Sequence, residues 1–190
     1  MQQSVAQSLE HLQTTYLDSL LLHGPLDKRS QTLPGGDWES WREMEKLHDR
    51  KVVKSLGISN VNPPQLRELL ATARIKPDMV QIRTFAAPKA NEMGLWREDI
   101  RSICRKHGII FEAFSLLTAN KRVVQNAAVG KVAAAHSVTR QQAVFRFAMD
   151  VGMVPITGSS SAEHLRQDLD VFKFKLHAAE VGHIEQATHG

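Results

Sequence analysis

This sequence has little of what a disulfide-bonded, exported or membrane-spanning protein needs. It contains one cysteine, Cys104, so no internal disulfide bond can form. A lone thiol in a helix-patterned segment indicates a reducing compartment, by default the cytoplasm. No run approaches the roughly 18 apolar residues that would cross a bilayer, and polar residues interrupt the N-terminal segment where a signal peptide would be apolar. These absences predict a soluble protein that is not exported.

Two common nucleotide-binding motifs are also missing. No G-x-G-x-x-G follows an apolar segment and no G-x-x-x-x-G-K-[ST] occurs, which excludes the usual Rossmann and P-loop sites. The formal net charge is +4, but basic and acidic residues alternate across residues 42–51, so no cationic stripe forms. The sequence therefore favours a small-molecule ligand over nucleic acid or a membrane surface.

Helical and strand-like patterns alternate along the whole chain. Apolar segments predict five strands, at residues 16–22, 52–58, 79–82, 109–113 and 154–156. Helical spacing is found at residues 2–13, 37–49, 62–73, 95–107, 121–136, 139–150 and 178–188, with helix starts expected at Asp37, Asn62, Thr139 and Ser160. Such strands, apolar throughout and separated by helix-length segments, predict a parallel sheet covered by helices. With no low-complexity linker, residues 1–190 are expected to form one domain.

Polar residues follow every predicted strand. They are His23, Ser59 with Asn60, Gln81, Phe114 with Ser115, and residues 157–161. Turns favour serine, asparagine and glycine for backbone reasons, so each group alone is weak evidence. In a parallel α/β fold, however, the carboxyl ends of the strands share one edge, where ligands bind. Five such groups together predict a binding edge.

The same segments resemble the aldo-keto reductase family in order and spacing. YLDSLLLH (16–23) resembles the family's D-x-x-x-x-H strand, GISN (57–60) resembles G-[VI]-S-N, and VQ (80–81) resembles N-Q. FEAFSLL (111–117) is similar to A-Y-S-P-L, and residues 154–169 are similar to V-I-P-K-S-S-N-x-x-R-x-x-E-N-L. The resemblance covers nearly the whole chain and implies a (β/α)₈ barrel. Because five strands are predicted, we expect a partial barrel, the C-terminal portion without the first three β/α units.

The resemblance implies an NAD(P)H-dependent oxidoreductase that reduces aldehydes or ketones by hydride transfer. His23 would orient the substrate carbonyl oxygen, while the tyrosine, lysine and aspartate of the family's catalytic tetrad would lie in the missing units. Tyr16 is the only tyrosine, and it begins the strand that ends before His23. At about 3.3 Å per residue the two lie roughly 20 Å apart. We therefore expect a truncated chain that is inactive by itself.

The resemblance also implies a cofactor site. Ser59, Asn60 and Gln81 would bind the nicotinamide carboxamide, although Ser59 and Asn60 could alternatively cap the following helix. Phe114 would stack on the nicotinamide in place of the family's tyrosine, and Leu116 replaces its proline. The remaining cofactor positions belong to the phosphate and adenosine end.

Ser115 and Leu117 would line the pyrophosphate path, and Ser159 and Ser160, with the helix start after them, would bind the adenosine phosphate. Departures from the family pattern cluster here: Gly158 and His164 replace the lysine and arginine at the 2′-phosphate, and Gln167 with Asp168 replaces Glu-Asn at adenine. The implied cofactor is NADP, with NAD as the alternative. No metal site is expected.

Two other functions compete with a reductase. One is a non-catalytic nicotinamide-binding or interaction protein on a remnant barrel. The other is a phosphate-handling isomerase or aldolase barrel, suggested by the serine-rich helix start. A Schiff-base aldolase needs a strand lysine, and Lys54 falls early in its strand, near the wrong edge of the sheet. In addition, the unpaired edges of a five-stranded sheet predict self-association.

Overall fold

A computed structural model describes residues 2–87 and 94–187. Its strands are β1 (Leu17–Leu22), β2 (Val53–Ser59), β3 (Met79–Arg83), β4 (Ile110–Phe114) and β5 (Met153–Ile156). They form one sheet in the order β1-β2-β3-β4-β5. The pairs β1–β2, β2–β3 and β4–β5 are parallel. The predicted α/β fold class, with parallel strands separated by helices, is confirmed.

Helices lie between the strands throughout the described residues. The α-helices are α1 (Gln2–Leu12), α2 (Gly35–Asp49), α3 (Pro63–Thr72), α4 (Glu98–His107), α5 (Lys121–Gln125), α6 (Ala127–Ala135), α7 (Arg140–Asp150), α8 (Ala162–Asp170) and α9 (Ala178–Gln186). Single 3₁₀ turns at Leu95–Arg97 and Val171–Lys173 precede α4 and follow α8. Within residues 2–87 and 94–187, no helix is both long and apolar enough to cross a membrane.

Two predicted helix starts are confirmed by their hydrogen bonds. Asn62 Oδ1 accepts from Gln65 N at 2.9 Å, and Asn62 N donates to Gln65 Oε1 at 3.1 Å, which makes a reciprocal capping box. Thr139 and Gln142 form the same arrangement at α7. The side chains thereby satisfy backbone N–H groups that the first helical turn leaves unpaired.

Four boundary predictions are wrong. Asp37 is not an N-cap, because α2 begins at Gly35 and the buried Asp37 carboxylate accepts from Leu26 N at 2.9 Å. Ser161, rather than Ser160, caps α8. The expected helix over residues 121–136 is divided at Asn126, whose backbone is extended and whose side chain accepts from Ala128 N at 2.8 Å. The helix expected from residue 95 begins as a 3₁₀ turn, because Trp96 has a left-handed backbone, with φ at 52°.

Contacts between Cα atoms group the chain into two compact units, and the first comprises Met1–Ile82 with Ile103–Ile110. In this unit the middle strand is β2, whose Leu56 and Ile58 are fully buried, and the flanking helices contribute the buried Trp41 and Leu66. Burying each such side chain contributes about 1.5–3 kcal/mol. Gly57 is required in β2, because a Cβ there would lie 2.7 Å from Leu21 Cγ.

The second unit comprises Arg83–Ser102 with Phe111–Gly190. Helix α7 forms its centre, since residues 142–148 are all buried. Trp96 packs against Phe147, with ring centroids 4.9 Å apart and the ring planes tilted by 54°. On the same helix Arg146 forms an ion pair with Asp150 and donates to Val171 O at 3.2 Å, which links α7 to the turn after α8.

Candidate functional site

In the first unit, three predicted site residues lie at the carboxyl ends of neighbouring strands. Leu22 is opposite Ile58, and Ser59 is opposite Gln81. His23 follows Leu22 directly and therefore stands at the level of Ser59. The structure thus brings His23, Ser59 and Gln81 into one row across β1, β2 and β3. His23 is exposed, whereas Ser59 is 2% exposed.

Asn60 connects this row. Its backbone N–H donates to Gln81 O at 2.9 Å, and its side-chain amide donates to Ser59 Oγ at 2.9 Å and to His23 O at 3.3 Å. Its backbone is left-handed, with φ at 56°, a conformation that asparagine tolerates better than most residues. The alternative role of Ser59 and Asn60 as helix caps is wrong, because Asn62 caps α3.

The loop after β1, residues 24–36, is anchored by the start of α3. Gln65 Nε2 donates to Asp27 O at 2.8 Å, and Asn62 Nδ2 donates to Ser30 O at 2.8 Å. One turn further, Glu68 accepts from Leu33 N at 2.6 Å. The sequence predicted Asn62 and Gln65 as a helix cap but not as anchors of this loop, and it indicated no role for Glu68. The loop of residues 24–36 is therefore held at several backbone positions.

In the second unit, a further pair of strands ends side by side. Phe114, the last residue of β4, is opposite Ile156, the last residue of β5. Ser115 follows with a left-handed backbone, φ 59°, and turns the chain out of the strand. Phe114, Ser115 and Leu117 are all half-buried. The pairing of Phe114 with Ile156 places the end of β4 beside the residue that precedes the 157–161 segment.

That segment leads into α8 with an open N-terminus. Ser159 Oγ accepts from Ser161 N at 3.0 Å, and Ser161 Oγ accepts from His164 N at 3.3 Å. A Cβ built on Gly158 would meet no described atom within 4 Å. The helix start provides backbone donors and a positive dipole end, which Glu163 in the first turn partly offsets. His164 and Ser160 are exposed.

Gln167 and Asp168 lie on α8 and bond within the protein. Gln142 Nε2 donates to Gln167 O at 2.9 Å, and Thr157 Oγ1 donates to Asp168 Oδ2 at 3.1 Å. These bonds tie α8 to α7 and to the end of β5. A contact of either residue with adenine stays a prediction.

Asn120 is a buried polar residue that the sequence did not single out. Its side chain accepts from Ala86 N at 2.7 Å and donates to Thr84 O at 3.0 Å and Leu116 O at 2.8 Å. Its position just before the helical pattern at 121 suggests only a cap, but the side chain makes no capping bond. Only the folded chain shows these partners, of which Thr84 and Ala86 lie 36 and 34 residues away.

The only tyrosine and the strand lysine lie at the opposite, amino-terminal ends of β1 and β2. Tyr16 precedes β1 and His23 follows it. Lys54 Nζ lies 2.8 Å from Asp18 Oδ1 and 3.9 Å from the Tyr16 ring centroid. The hydrogen bond to Asp18 raises the pKa of Lys54, whereas a Schiff-base lysine needs a lowered one. Neither Tyr16 nor Lys54 belongs to the row that contains His23.

No group of three side chains within residues 2–87 and 94–187 is arranged to hold a metal ion. Cys104 is buried, and burial raises the pKa of its thiol to about 12, so the thiolate form is suppressed.

Comparison with known proteins places this arrangement in a family. A family model described as the aldo/keto reductase family matches residues 1–189. An aldo-keto reductase of (1S)-1,7-diacetoxy-luvungin A from Citrus sinensis is 32% identical, covering 94% of this chain and 59% of the relative. A glyoxal reductase from Bacillus subtilis is 31% identical with the same coverages.

A solved aldo-keto reductase from a Medee basin deep-sea metagenome library superposes with a TM-score of 0.85 at 26% identity, covering 99% of this chain and 65% of that structure. The chain thus spans about 60% of the length of the curated relatives it matches. Its parallel strands and helices are those of a (β/α)₈-type fold. The chain belongs to the aldo/keto reductase family.

Proposed function

We propose that this chain binds a reduced nicotinamide dinucleotide, NADPH in preference to NADH, and serves the reduction of an aldehyde or ketone. The observation that carries this is the row of His23, Ser59 and Gln81, joined by Asn60, at the carboxyl ends of β1, β2 and β3. The names of relatives as glyoxal and methylglyoxal reductases support a small carbonyl substrate.

The donors and acceptors of this row fit a nicotinamide carboxamide. A carboxamide offers two N–H donors and one carbonyl acceptor, so its site needs both kinds of partner. The Ser59 hydroxyl accepts from Asn60 and is itself a donor, and the Gln81 amide can serve in either role. Phe114 offers a flat apolar face for the ring, as the resemblance implies.

The start of α8 fits a phosphate group. Backbone N–H groups at a helix N-terminus favour an anion, and the open space at Gly158 leaves room for it. Ser159, Ser160 and His164 would contact the phosphates, and Gln167 and Asp168 would contact adenine. His164 stands where the family commonly has an arginine. This chain should therefore prefer NADPH over NADH less strongly than a family member with the arginine does.

His23 would act on the substrate. When bound, the reduced nicotinamide supplies the hydride that adds to the carbonyl carbon. An imidazole N–H of His23 would donate to the carbonyl oxygen and stabilise the negative charge that develops on it. The Asn60 side-chain amide donates to the backbone carbonyl of His23 and so fixes the backbone position from which the imidazole side chain extends. Tyr16 lies at the other end of β1 and cannot supply the proton, so we propose that residues 1–190 alone turn over slowly.

We further propose that the chain works in the cytoplasm and associates with itself. The buried, protonated Cys104 suits a reducing compartment. Exposed apolar side chains on β5 and along α8 favour self-association, and Leu169 and Phe172 are 67% and 68% exposed.

The cofactor role is tested by titrating NADPH fluorescence with wild-type chain, Ser59→Ala and the control Ser55→Ala. Ser55 lies on the same strand at the opposite end, so its loss should leave binding unchanged. Loss of one hydrogen bond at Ser59 should weaken binding about three- to tenfold. Absence of binding to the wild-type chain, or equal weakening by both variants, contradicts the proposed site.

The substrate role is tested by NADPH oxidation with 4-nitrobenzaldehyde. Slow turnover that falls further in His23→Ala supports the proposal. Rapid turnover by residues 1–190, abolished in His23→Ala, would show that the chain contains a proton donor that we have not recognised.

A further inference from the structure

Asn120 bonds two separate loops of the second unit through its side-chain oxygen and both of its amide N–H groups. It is 6% exposed. Its carbonyl oxygen accepts from Ala86 N, and its amide donates to Thr84 O and Leu116 O, at 2.7, 3.0 and 2.8 Å. Two of these partners lie in the β3 loop (residues 84–87), and the third lies in the β4 loop (residues 115–119). A buried amide with every group satisfied specifies one arrangement of the backbone around it.

The β3 loop is further linked to a buried tryptophan. Ala86 O accepts from Trp96 N at 3.0 Å. Trp96 is fully buried against Phe147 and has a left-handed backbone, an uncommon conformation for a large side chain that its surroundings must hold in place. Asn120 therefore fixes Ala86, and Ala86 in turn bonds Trp96 in the 3₁₀ turn that leads into α4.

The β4 loop closes on the same asparagine. Ser115 O accepts from Ala119 N at 2.9 Å, and Leu117 O accepts from Asn120 N at 3.2 Å. These two backbone hydrogen bonds close the β4 loop into a compact turn. Leu116 O is held by the Asn120 side chain, and the Leu116 side chain is 1% exposed. Asn120 thus holds Leu116, which lies between Ser115 and Leu117, the two residues expected to line the pyrophosphate path.

We propose that Asn120 is a positioning residue that makes the β3 loop and the β4 loop open and close as one cooperative unit. Its second consequence rests on the proposed cofactor site: a dinucleotide bound along Ser115 and Leu117 also orders the β3 loop, which follows the strand that bears Gln81.

The first test needs no cofactor and no substitution. Amide hydrogen exchange of the wild-type chain is measured in increasing, non-denaturing urea. We expect the Ala86, Trp96 and Ala119 amides to share one opening with a common urea dependence. The Trp96 and Ala119 amides do not bond Asn120, so their agreement with Ala86 reports coupling and not a lost contact. Independent openings of Ala86 and Ala119 would overturn the proposal.

The second test removes the link. In Asn120→Ala all three amides should exchange at least about tenfold faster, because three buried backbone groups lose their partner, while the amides of α7 stay protected. The control is Asn126→Ala, which removes the cap of α6 in the same unit and should leave both loops unchanged. Acceleration confined to Ala86, or equal acceleration in both variants, would refute cooperative coupling.

The third test adds NADPH. In the wild-type chain it should slow exchange in both loops; in Asn120→Ala, saturated with NADPH, protection should remain in the β4 loop and vanish from the β3 loop. If NADPH does not bind the wild-type chain, the proposed function fails, and the cofactor-free exchange still decides the coupling. If NADPH protects the β3 loop amides in Asn120→Ala as much as it does in the wild-type chain, Asn120 does not transmit cofactor occupancy to the β3 loop.

Discussion

Replacing Asn60 by alanine and by glycine separates the two roles of this residue. Its left-handed backbone, φ 56°, costs a residue with a Cβ about 1–2 kcal/mol, a cost that glycine escapes and asparagine partly recovers through local hydrogen bonds. Its side chain donates to Ser59 Oγ at 2.9 Å and to His23 O at 3.3 Å, bonds worth about 0.5–1.5 kcal/mol each.

Asn60→Ala loses both bonds and meets the full backbone strain, so we expect a loss of about 2–4 kcal/mol in the free energy of unfolding. Asn60→Gly loses the same bonds without the strain, but it also gains freedom in the unfolded chain. The net expectation is that glycine is about 1 kcal/mol less destabilising than alanine. Both variants should weaken NADPH binding to the same extent, because both lack the side-chain amide.

Urea unfolding followed by tryptophan fluorescence measures the first quantity, since Trp38 and Trp41 belong to the same unit as Asn60. An NADPH titration measures the second. If Asn60→Gly lowers the free energy of unfolding as much as Asn60→Ala does, the left-handed backbone of Asn60 is not the source of the strain. Unchanged NADPH binding in both variants would remove the Asn60 side chain from the cofactor site.

Further predictions concern cofactor choice, pH and association. His164→Arg should tighten NADPH more than NADH, because arginine is always charged and binds phosphate in a bidentate manner; equal changes in a titration of both cofactors would remove His164 from the site. Burial acts to raise the pKa of Asp150, but the hydrogen bonds from Arg146 and Leu176 N and the nearby positive charges of Arg146 and Lys175 together outweigh this and hold the pKa below the ordinary 3.8. Its stabilisation is therefore present above that value and lost as pH falls through the lower folded-state pKa, so Asp150→Asn should lower the stability at pH 7 and flatten its acid dependence in urea titrations from pH 7 to 3. Leu169→Glu with Phe172→Glu should shift sedimentation towards monomer, because both side chains are exposed and apolar; an unchanged distribution would place self-association elsewhere.

The sequence was sufficient for the features that depend on near neighbours. Alternating apolar and helical segments predicted the parallel strands and their helices, and the Asn62 and Thr139 capping boxes were readable because each pairs residues three apart. Strand-end residues such as His23 and Ser59 were recognisable because parallel strands present their carboxyl ends together. The motifs around them identified the family.

Only the tertiary structure decided which distant groups meet. Asp37 looked like a cap, yet its carboxylate accepts from Leu26 N in the preceding loop. Asn120 directly precedes the helical pattern that begins at residue 121, yet its side chain bonds Thr84 and Ala86, 36 and 34 residues away. A side-chain amide or carboxylate can satisfy a local helix end or a remote backbone group at similar free energy, so the local pattern is ambiguous. Burial resolves the ambiguity, because a loop backbone removed from water must find its hydrogen-bond partners wherever the fold brings them.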